Sequence, residues 1–212
     1  MRILIIGASR GTGALSVQEA LRRGHTVTAF SRNHGTLPAD PPQLARFQGD
    51  FHRQESVRAA VPGHDAVIIT ASAPSLRAFK QNPRYFSDGT QLVIEAMREH
   101  GVRRLVILSA LGAGESKQLM NPLLRAVVRG LVLKLPFADH DRQEELVRAS
   151  GLQWVIVRPG RLTNGAARRR YVKDAELAPV PSSISRADVA DFLIECAETA
   201  SWVQKAVQIG GS

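Results

Sequence analysis

The heptapeptide GASRGTG, residues 7–13, decides how this chain of 212 residues folds. It follows the apolar run Arg2–Ile6, which predicts a strand buried on both faces. It leads into Gly13–Arg23, a stretch with helical spacing that ends at Gly24, a natural helix C-cap. Glycines between a buried strand and a helix permit a tight turn and let the helix pack closely against the sheet. The heptapeptide therefore predicts the first strand–turn–helix unit of an α/β sheet.

Outward from this unit, short apolar runs alternate with helical patterns along the whole chain. The predicted strands are Arg2–Ile6, Thr26–Phe30, Ala45–Gln48, Ala66–Thr70, Arg104–Leu108, Trp154–Val157 and Ala206–Ile209. The predicted helices are Gly13–Arg23, Gln54–Ala60, Tyr85–His100, Pro122–Leu135, Ala138–Ala149 and Ala187–Thr199, the last opened by the cap-like Ser185. Strand–helix alternation with right-handed crossovers predicts an α/β fold: a single Rossmann-type, doubly wound parallel sheet with helices on both faces, forming one domain over residues 1–212.

The composition is that of a globular protein, with 44% hydrophobic and 22% charged residues. The single cysteine, Cys196, excludes an internal disulfide and a multi-cysteine zinc site, so we expect no metal and a reducing, cytoplasmic setting. A net charge of +9 favours anionic partners. The aromatic content of 5% and the lack of a zinc-finger or RNA-recognition motif argue against nucleic acid. No uncharged apolar stretch reaches about 18 residues, which argues against a membrane-spanning helix.

A helix N-terminus behind a glycine turn is suited to phosphate, because its first N–H groups are unpaired and the helix dipole is positive there. The heptapeptide thus predicts a dinucleotide site; the alternative is a glycine-rich turn without a ligand. Where NAD-binding proteins usually carry an acidic residue, the second strand ends in Phe30-Ser31-Arg32. Arg32, Arg10 and the Ser31 hydroxyl suit a 2′-phosphate, so we expect NADPH, with NADH as the alternative. The opposing interpretation is that both arginines are solvated surface charges.

At these residues the chain resembles the atypical short-chain dehydrogenases/reductases of the NAD(P)H-binding type. Within that group it resembles the biliverdin reductase B/flavin reductase type and, more loosely, the NmrA-like proteins. The resemblance covers nearly the whole chain. It rests on the heptapeptide, Ser31-Arg32, Gly49-Asp50-Phe51, residues 66–71, Ser109, His140, Ser150-Gly151-Leu152, Val157-Arg158-Pro159-Gly160 and Ile184-Ser185-Arg186-Ala187-Asp188-Val189.

The resemblance implies which residues surround the cofactor and the substrate. Asp50 and Phe51 would lie by the adenine, and residues 70–72 along the ribose and pyrophosphate. Pro159 and Gly160 would lie against the nicotinamide carboxamide, and Arg161 would face the substrate, where the flavin-reductase type more often has a histidine. Together with the glycine turn, the predicted cofactor-binding residues are Gly7, Ser9, Arg10, Gly11, Thr12, Gly13, Ser31, Arg32, Asp50, Phe51, Thr70, Ala71, Ser72, Pro159 and Gly160.

Classical members of the superfamily reduce carbonyls with a Tyr-x-x-x-Lys pair, which this chain lacks. Tyr85 is followed four residues later by Gly89, and Tyr171 by Ala175. The helix that would carry the pair has His140 and Glu144, one turn apart. A carboxylate there disfavours the proton delivery that ordinary ketones need. Hydride addition to a conjugated acceptor leaves delocalised charge, so a flavin, a quinone or a biliverdin-like tetrapyrrole is the expected substrate.

Ser109 and His140 are the candidate catalytic residues: Ser109 to orient the acceptor, His140 to donate a proton. The alternatives are that Ser109 closes a turn and that His140 is ion-paired at the surface between Asp139 and Asp141.

We expect the binding partner to be a small anionic or aromatic acceptor, and we expect neither nucleic acid nor a membrane surface as a partner. The protein itself is expected to be a monomer or a weak homo-oligomer. The function class that competes with a reductase is an NADP(H)-sensing regulator of NmrA-like type that does not turn over. A nucleotide-sugar epimerase is disfavoured because the chain lacks a second lobe.

Two further segments have open interpretations. Residues 122–135 form an unusually apolar helical stretch with three basic residues, which favours a lid or pocket wall over a membrane or partner face. Arg168-Arg169-Arg170 is either a solvated basic loop or, with Arg161, a rim that attracts anionic substrates. Cys196, Trp154 and Trp202 are expected in the core.

Overall fold

The computed structural model describes residues 1–33, 37, 41–73, 75–123 and 133–211. Most of the predicted helix at residues 122–135 lies outside this range, so its interpretation as a lid or a membrane face stays a prediction. The single domain over residues 1–212 likewise stays a prediction. None of the helices in the described part is long and apolar enough to cross a membrane.

Eight strands of the described chain form one sheet, in the order β3-β2-β1-β4-β5-β6-β10-β8. Strands β7 and β9 form a separate parallel pair. The strands are β1 (Arg2–Ile6), β2 (Thr26–Ser31), β3 (Leu44–Gln48), β4 (Ala66–Ile69), β5 (Arg104–Leu108), β6 (Gln153–Pro159), β7 (Arg161–Thr163), β8 (Tyr171–Asp174), β9 (Ser183–Ser185) and β10 (Lys205–Gly211). The seven predicted strands are therefore confirmed, within two residues at each end.

The sheet departs from the prediction at one edge, because β8 pairs antiparallel to β10. The other ladders of the large sheet are parallel, as predicted. Strands β7, β8 and β9 were not predicted, since each is only three or four residues long and is mixed in polarity. The chain reaches β8 from β7 through a loop rather than through a crossover helix, so β8 is free to run antiparallel.

Helices cover both faces of the sheet. They are α1 (Gly11–Arg22), α2 (Gln54–Ala60), α3 (Leu76–Gln81), α4 (Tyr85–Glu99), a 3-10 helix (Gly114–Leu119), α5 (Lys134–Arg148) and α6 (Arg186–Glu198). Helices α1 and α6 pack together over one half of the core, and α2, α4 and α5 lie over the other. Ser185 caps α6 by accepting a hydrogen bond from the Asp188 amide at 3.0 Å. This is the doubly wound α/β fold that was predicted.

The predicted core residues lie largely where expected. Cys196 and Trp154 are buried, and Trp202 is partly buried against the α1–α6 half of the core.

The basic run Arg168-Arg169-Arg170 is not simply solvated. The guanidinium of Arg169 pairs with Glu19 at 3.3 Å and lies 3.7 Å from Asp191, so this side chain ties its loop to α1 and α6.

The glycine turn brings the main chain of three elements into contact. Gly7 has φ +88°, and a Cβ there would lie 2.6 Å from the Ala71 nitrogen. A Cβ on Gly13 would lie 2.6 Å from the Thr70 hydroxyl oxygen and closer still to the Gly7 carbonyl oxygen. The Gly7 amide donates to the Phe30 carbonyl at 3.0 Å. Helix α1 therefore starts directly against the ends of β1 and β4.

Replacing Gly13 with alanine tests this contact, because helix propensity and steric overlap would change the free energy of unfolding in opposite directions. On helix propensity alone, alanine in α1 would stabilise the protein by up to about 1 kcal/mol. Because the new Cβ overlaps main chain that cannot easily yield, we expect Gly13→Ala to lower the free energy of unfolding by about 1–3 kcal/mol instead. Urea denaturation measures the difference.

Gly165→Ala is the matched control, since its Cβ would meet nothing nearer than the Ser185 Cβ at 3.8 Å. We expect a change within about 0.5 kcal/mol for this variant. A Gly13→Ala protein as stable as the wild type would show that α1 does not depend on the close approach.

Candidate functional site

A cleft of about 420 Å³ opens where β1, β2, β3 and β4 end. The order of the strands explains its position. The chain builds outward from β1 in one direction and from β4 in the other, so the loops that follow these two neighbouring strands separate. The residues that line the cleft are Ile6, Gly7, Ser9, Arg10, Phe30, Ser31, Arg32, Asn33, Gly49, Asp50, Phe51, Ala71, Ser72 and Tyr85.

Nine of the residues predicted to bind the cofactor share this lining: Gly7, Ser9, Arg10, Ser31, Arg32, Asp50, Phe51, Ala71 and Ser72. Gly11, Thr12 and Gly13 lie directly behind them as the first turn of α1. Thr70 is buried, and its hydroxyl donates to the Ile6 carbonyl at 2.9 Å, so it joins β4 to β1.

The N-terminus of α1 lies behind the cleft, directly after the lining residues Ser9 and Arg10. The first N–H groups of a helix have no partner within the helix, and the Arg10 side chain makes no capping hydrogen bond to them. These donors and the positive end of the helix dipole suit an anionic group such as a diphosphate. The turn itself packs tightly, because a Cβ on Gly7 would overlap the main chain at Ala71, so the turn is held in place against the end of β4.

Two arginines stand at the mouth of the cleft. Arg10 and Arg32 are both exposed, so their guanidinium groups can turn toward a ligand. Ser31 is buried, and its hydroxyl donates to the Asn33 carbonyl at 2.9 Å. The carboxylate in the lining comes from Asp50, which accepts a hydrogen bond from the His52 amide at 2.9 Å. The end of β2 itself carries no acidic residue.

Tyr85, the first residue of α4, is a part of the site that the sequence did not predict. Its ring lies edge-on to His52, with 4.4 Å between ring centroids, and its carbonyl accepts a hydrogen bond from the His52 ring at 2.8 Å. Burial raises the pKa of Tyr85, and the positive charges of Arg32 and Arg10 oppose that rise. The hydroxyl therefore lies within the field of both arginines. An aromatic residue at the start of the predicted helix Tyr85–His100 was the available signal.

On the other side of β4, Ser109 belongs to a buried polar cluster. Its hydroxyl donates to Glu144 Oε1 at 2.7 Å. Arg158 Nε donates to the same oxygen at 3.0 Å, and Arg158 Nη2 pairs with Glu144 Oε2. Ser109, Glu144 and Arg158 are all nearly inaccessible to solvent, so the carboxylate is held on both sides. This arrangement raises the pKa of Arg158, although burial opposes the rise.

His140 contacts an aromatic ring and an amide side chain, whereas the alternative prediction was an ion pair at the surface with Asp139 or Asp141. Its imidazole stacks on Phe86 with 4.2 Å between centroids, and its Nδ1 is 3.1 Å from Gln143 Oε1. Its neighbour Asp139 points into the protein and accepts hydrogen bonds from the Phe86 amide and from the Ser87 hydroxyl. Burial lowers the pKa of His140 below its usual value of 6.5. The imidazole is therefore mainly neutral at pH 7.

Pro159 ends β6, Gly160 follows it and Arg161 begins β7; all three lie outside the lining of the cleft. Pro159 is buried and Arg161 is exposed. Gly160 allows a main-chain contact, because a Cβ there would lie 2.6 Å from the Ser182 carbonyl oxygen. Their predicted contacts with nicotinamide and substrate stay predictions.

The strand order, the glycine turn and the cleft together define a Rossmann-type nucleotide-binding protein. A family model described as NAD(P)H-binding matches residues 7–200, and the chain belongs to that family. The resemblance to atypical short-chain dehydrogenases/reductases of the NAD(P)H-binding type is thereby confirmed. The family is one of NAD(P)H-binding, oxidoreductase- and epimerase-like proteins.

Related proteins agree with this assignment. The protein named "Uncharacterized sugar epimerase YhfK" of Bacillus subtilis is 28% identical over 202 residues, which cover 92% of this chain and 86% of YhfK. ChuY, an anaerobilin reductase of Escherichia coli O157:H7, superposes with a TM-score of 0.80 at 23% identity, covering 99% of this chain and 96% of ChuY. A short-chain dehydrogenase/reductase of Veillonella parvula in complex with NADP gives 0.82 at 18% identity, covering 99% and 94%. These two structural similarities concern the fold.

The lowered pKa of His140 predicts how stability responds to acid. The imidazole of His140 binds a proton more readily in the unfolded state than in the folded state. Its contribution to the free energy of unfolding is therefore fully present above pH 6.5 and is lost as the pH drops below that value. We expect His140→Gln to reduce the fall in Tm between pH 7.5 and pH 5.5 by a few degrees. Differential scanning calorimetry at both pH values measures it.

His100→Gln is the control, since His100 is an exposed histidine at the C-terminal end of α4. The pH dependence of Tm in this variant shows what the loss of an exposed histidine contributes, and His140→Gln is compared with it. Equal slopes for the wild type and His140→Gln would contradict the lowered pKa of the partly buried imidazole.

Proposed function

We propose that this protein is an NADPH-dependent reductase that passes a hydride to a conjugated acceptor: a flavin, a quinone or a biliverdin-like tetrapyrrole. The observation that carries the proposal is the state of Glu144. It lies on α5, the helix where classical relatives have their Tyr-Lys pair, and is ion-paired with the fully buried Arg158. Both oxygens of this carboxylate accept hydrogen bonds from Arg158, so the side chain is not placed to deliver the proton that a simple ketone needs.

The preference for NADPH rests on the mouth of the cleft. Arg10 and Arg32 are two planar, permanently charged donor groups beside the end of β2, and such groups bind a phosphate in bidentate fashion. The nearest acidic lining residue, Asp50, belongs to the loop after β3 and not to the end of β2. The complex of the Veillonella protein with NADP agrees with a phosphorylated dinucleotide.

NADPH would supply a hydride, and the overall reaction consumes one proton and yields NADP⁺ and the acceptor reduced by two electrons. The N-terminus of α1 would hold the diphosphate, and Arg10 and Arg32 would hold the 2′-phosphate. Ser109 would orient the acceptor at the end of β5, and Arg161 would attract its anionic groups. The contribution of the protein is mostly placement, which brings the reacting atoms together without acid catalysis.

His140 is poorly suited to act as a strong acid at pH 7. Its imidazole is largely neutral because burial lowers its pKa. A conjugated acceptor tolerates this, since the charge left by the hydride is delocalised and the proton can follow from water. The name of ChuY, an anaerobilin reductase, favours a tetrapyrrole within the proposed class.

The cofactor preference is tested with Arg32→Ala. Removing one guanidinium from a 2′-phosphate site should weaken NADPH binding by roughly tenfold or more and leave NADH binding nearly unchanged. Isothermal titration calorimetry gives both dissociation constants. Arg2→Ala is the control: it removes the same charge from the opposite edge of the sheet, where Arg2 forms an exposed pair with Asp65. Equal affinity of the wild type for NADPH and NADH would refute the preference.

The reaction is tested with a spectrophotometric panel in which NADPH oxidation is followed with FMN, biliverdin, a quinone and a simple ketone. We expect turnover of at least one conjugated acceptor and none of the ketone. Ser109→Ala and His140→Ala separate the catalytic candidates. We expect Ser109→Ala to lower kcat/KM by roughly tenfold. Undiminished turnover by both variants with every accepted substrate would show that neither residue takes part in catalysis.

The same panel decides between an enzyme and a sensor. The hydroxyl hydrogen of Ser109 is engaged by Glu144, which is compatible with a site that binds without reacting. Tight binding of NADP⁺ with no turnover of any acceptor would favour the NADP(H)-sensing regulator.

A further inference from the structure

The wall of the cleft includes the side chain of Tyr85, whose hydroxyl has no role in the proposed site so far. Tyr85 is half-buried and lines the cleft together with Arg10, Arg32 and Asp50. Within the described part of the chain, the hydroxyl makes no hydrogen bond, and the Tyr85 carbonyl accepts one from the His52 ring at 2.8 Å. The hydroxyl is therefore able to donate a hydrogen bond to a ligand in the cleft.

The second tyrosine of the chain differs from Tyr85 in this respect. Tyr171 on β8 lies outside the lining of the cleft, and its hydroxyl donates to Asp191 Oδ2 at 2.7 Å. Its ring packs edge-on against Phe192 of α6, with 6.1 Å between ring centroids. Tyr171 thus ties β8 to α6, and its hydroxyl hydrogen is already used.

The ring of Tyr85 is held by aromatic neighbours from three elements. The distances between ring centroids are 4.4 Å to His52, 5.7 Å to Phe86 and 6.1 Å to Phe79 of α3. The main chain next to it is anchored as well, because the Phe86 amide donates to the buried Asp139 of α5. A tyrosine side chain has only two torsions, and packing restricts them here. Binding through the hydroxyl of Tyr85 therefore costs little conformational entropy.

The charges around the hydroxyl of Tyr85 favour an anionic acceptor. The positive charges of Arg32 and Arg10 lower the pKa of Tyr85, and the carboxylate of Asp50 raises it, so all three lining residues act on this hydroxyl. Two positive charges outweigh one negative charge, which favours an anion beside them. A phosphate group has three terminal oxygens, so it can accept a hydrogen bond from a hydroxyl as well as those from two guanidinium groups.

We infer that Tyr85 is a further specificity-determining residue of the dinucleotide site, and that its hydroxyl donates a hydrogen bond to the 2′-phosphate that Arg10 and Arg32 bind. The two arginines supply charge on long, exposed side chains, and the tyrosine supplies a donor in a fixed position beside them. A dinucleotide without the 2′-phosphate gains nothing from this donor. The inference rests on the NADPH preference in the proposed function and adds to it a residue from α4.

NADP⁺ and NAD⁺ provide the test, because they differ in the 2′-phosphate alone and their binding involves no hydride transfer. Tyr85→Phe removes the hydroxyl and keeps the ring. We expect its dissociation constant for NADP⁺ to rise roughly tenfold, the loss of one hydrogen bond to a charged group, and its dissociation constant for NAD⁺ to stay constant. Isothermal titration calorimetry measures both constants.

Tyr171→Phe is the matched control, since it removes the other tyrosine hydroxyl of the chain from a position outside the cleft. It should leave the dissociation constants for both nucleotides as in the wild type. The Tm of each variant reports whether the fold is retained. A disturbed cleft would weaken the binding of both nucleotides, whereas the loss of a single phosphate contact weakens the binding of NADP⁺ alone.

An unchanged affinity of Tyr85→Phe for NADP⁺ would overturn the inference. So would an equal loss for both nucleotides, because the hydroxyl would then serve a part that NADP⁺ and NAD⁺ share. If the wild type binds NADP⁺ and NAD⁺ equally, the NADPH preference and the inference fail together.

The acceptor panel separates this inference from the proposed reaction. A selective loss of NADP⁺ affinity in Tyr85→Phe, in a protein that turns over no acceptor, supports the role of Tyr85 and refutes the reductase. Turnover of an acceptor with NADPH, together with full NADP⁺ affinity in Tyr85→Phe, refutes the role of Tyr85 and leaves the reductase in place.

Discussion

The structure depends on the approach of one helix to two strand ends. Gly13 brings α1 so close to Gly7 and Thr70 that a single methyl group would not fit between them. This contact sets the N-terminus of α1 at the point where β1 and β4 separate, and so it decides where an anion can bind. The cleft, the positions of Arg10 and Arg32 at its mouth and the assignment to the NAD(P)H-binding family are all consistent with that placement.

A second constraint acts on the other side of β4. Arg158 has no exposure to solvent, so its charge must be paired within the protein, and Glu144 provides the partner. Nη2 of Arg158 also reaches Glu115 at 2.8 Å, an exposed residue of the 3-10 helix. Glu144, which lies on α5, also accepts the hydrogen bond of the Ser109 hydroxyl. In this way a requirement of the core fixes the hydrogen bond that Ser109 donates.

The sequence predicted the seven buried strands because each is a short apolar run bounded by turn residues, and the helices because of their spacing and caps. It did not predict β8, whose polar residues pair at an edge, or Tyr85, whose role depends on α4 meeting the loop after β3. The sequence also did not decide whether the basic run at residues 168–170 is a solvated loop or a rim that attracts anionic substrates. The structure shows Arg169 paired with Glu19, which is 150 residues away in the sequence, and local patterns do not report such contacts.

The amino-acid sequence by itself determined the glycine turn, the alternation that makes a doubly wound sheet, the basic end of β2 and the lack of a Tyr-x-x-x-Lys pair, since all of these are local in the chain. Only the tertiary structure decided what Ser109 and His140 can do. Their partners Glu144 and Phe86 come from other elements, 35 and 54 residues away, and burial lowers the pKa of His140. Residue types specify which hydrogen bonds are possible, but packing decides which of them form.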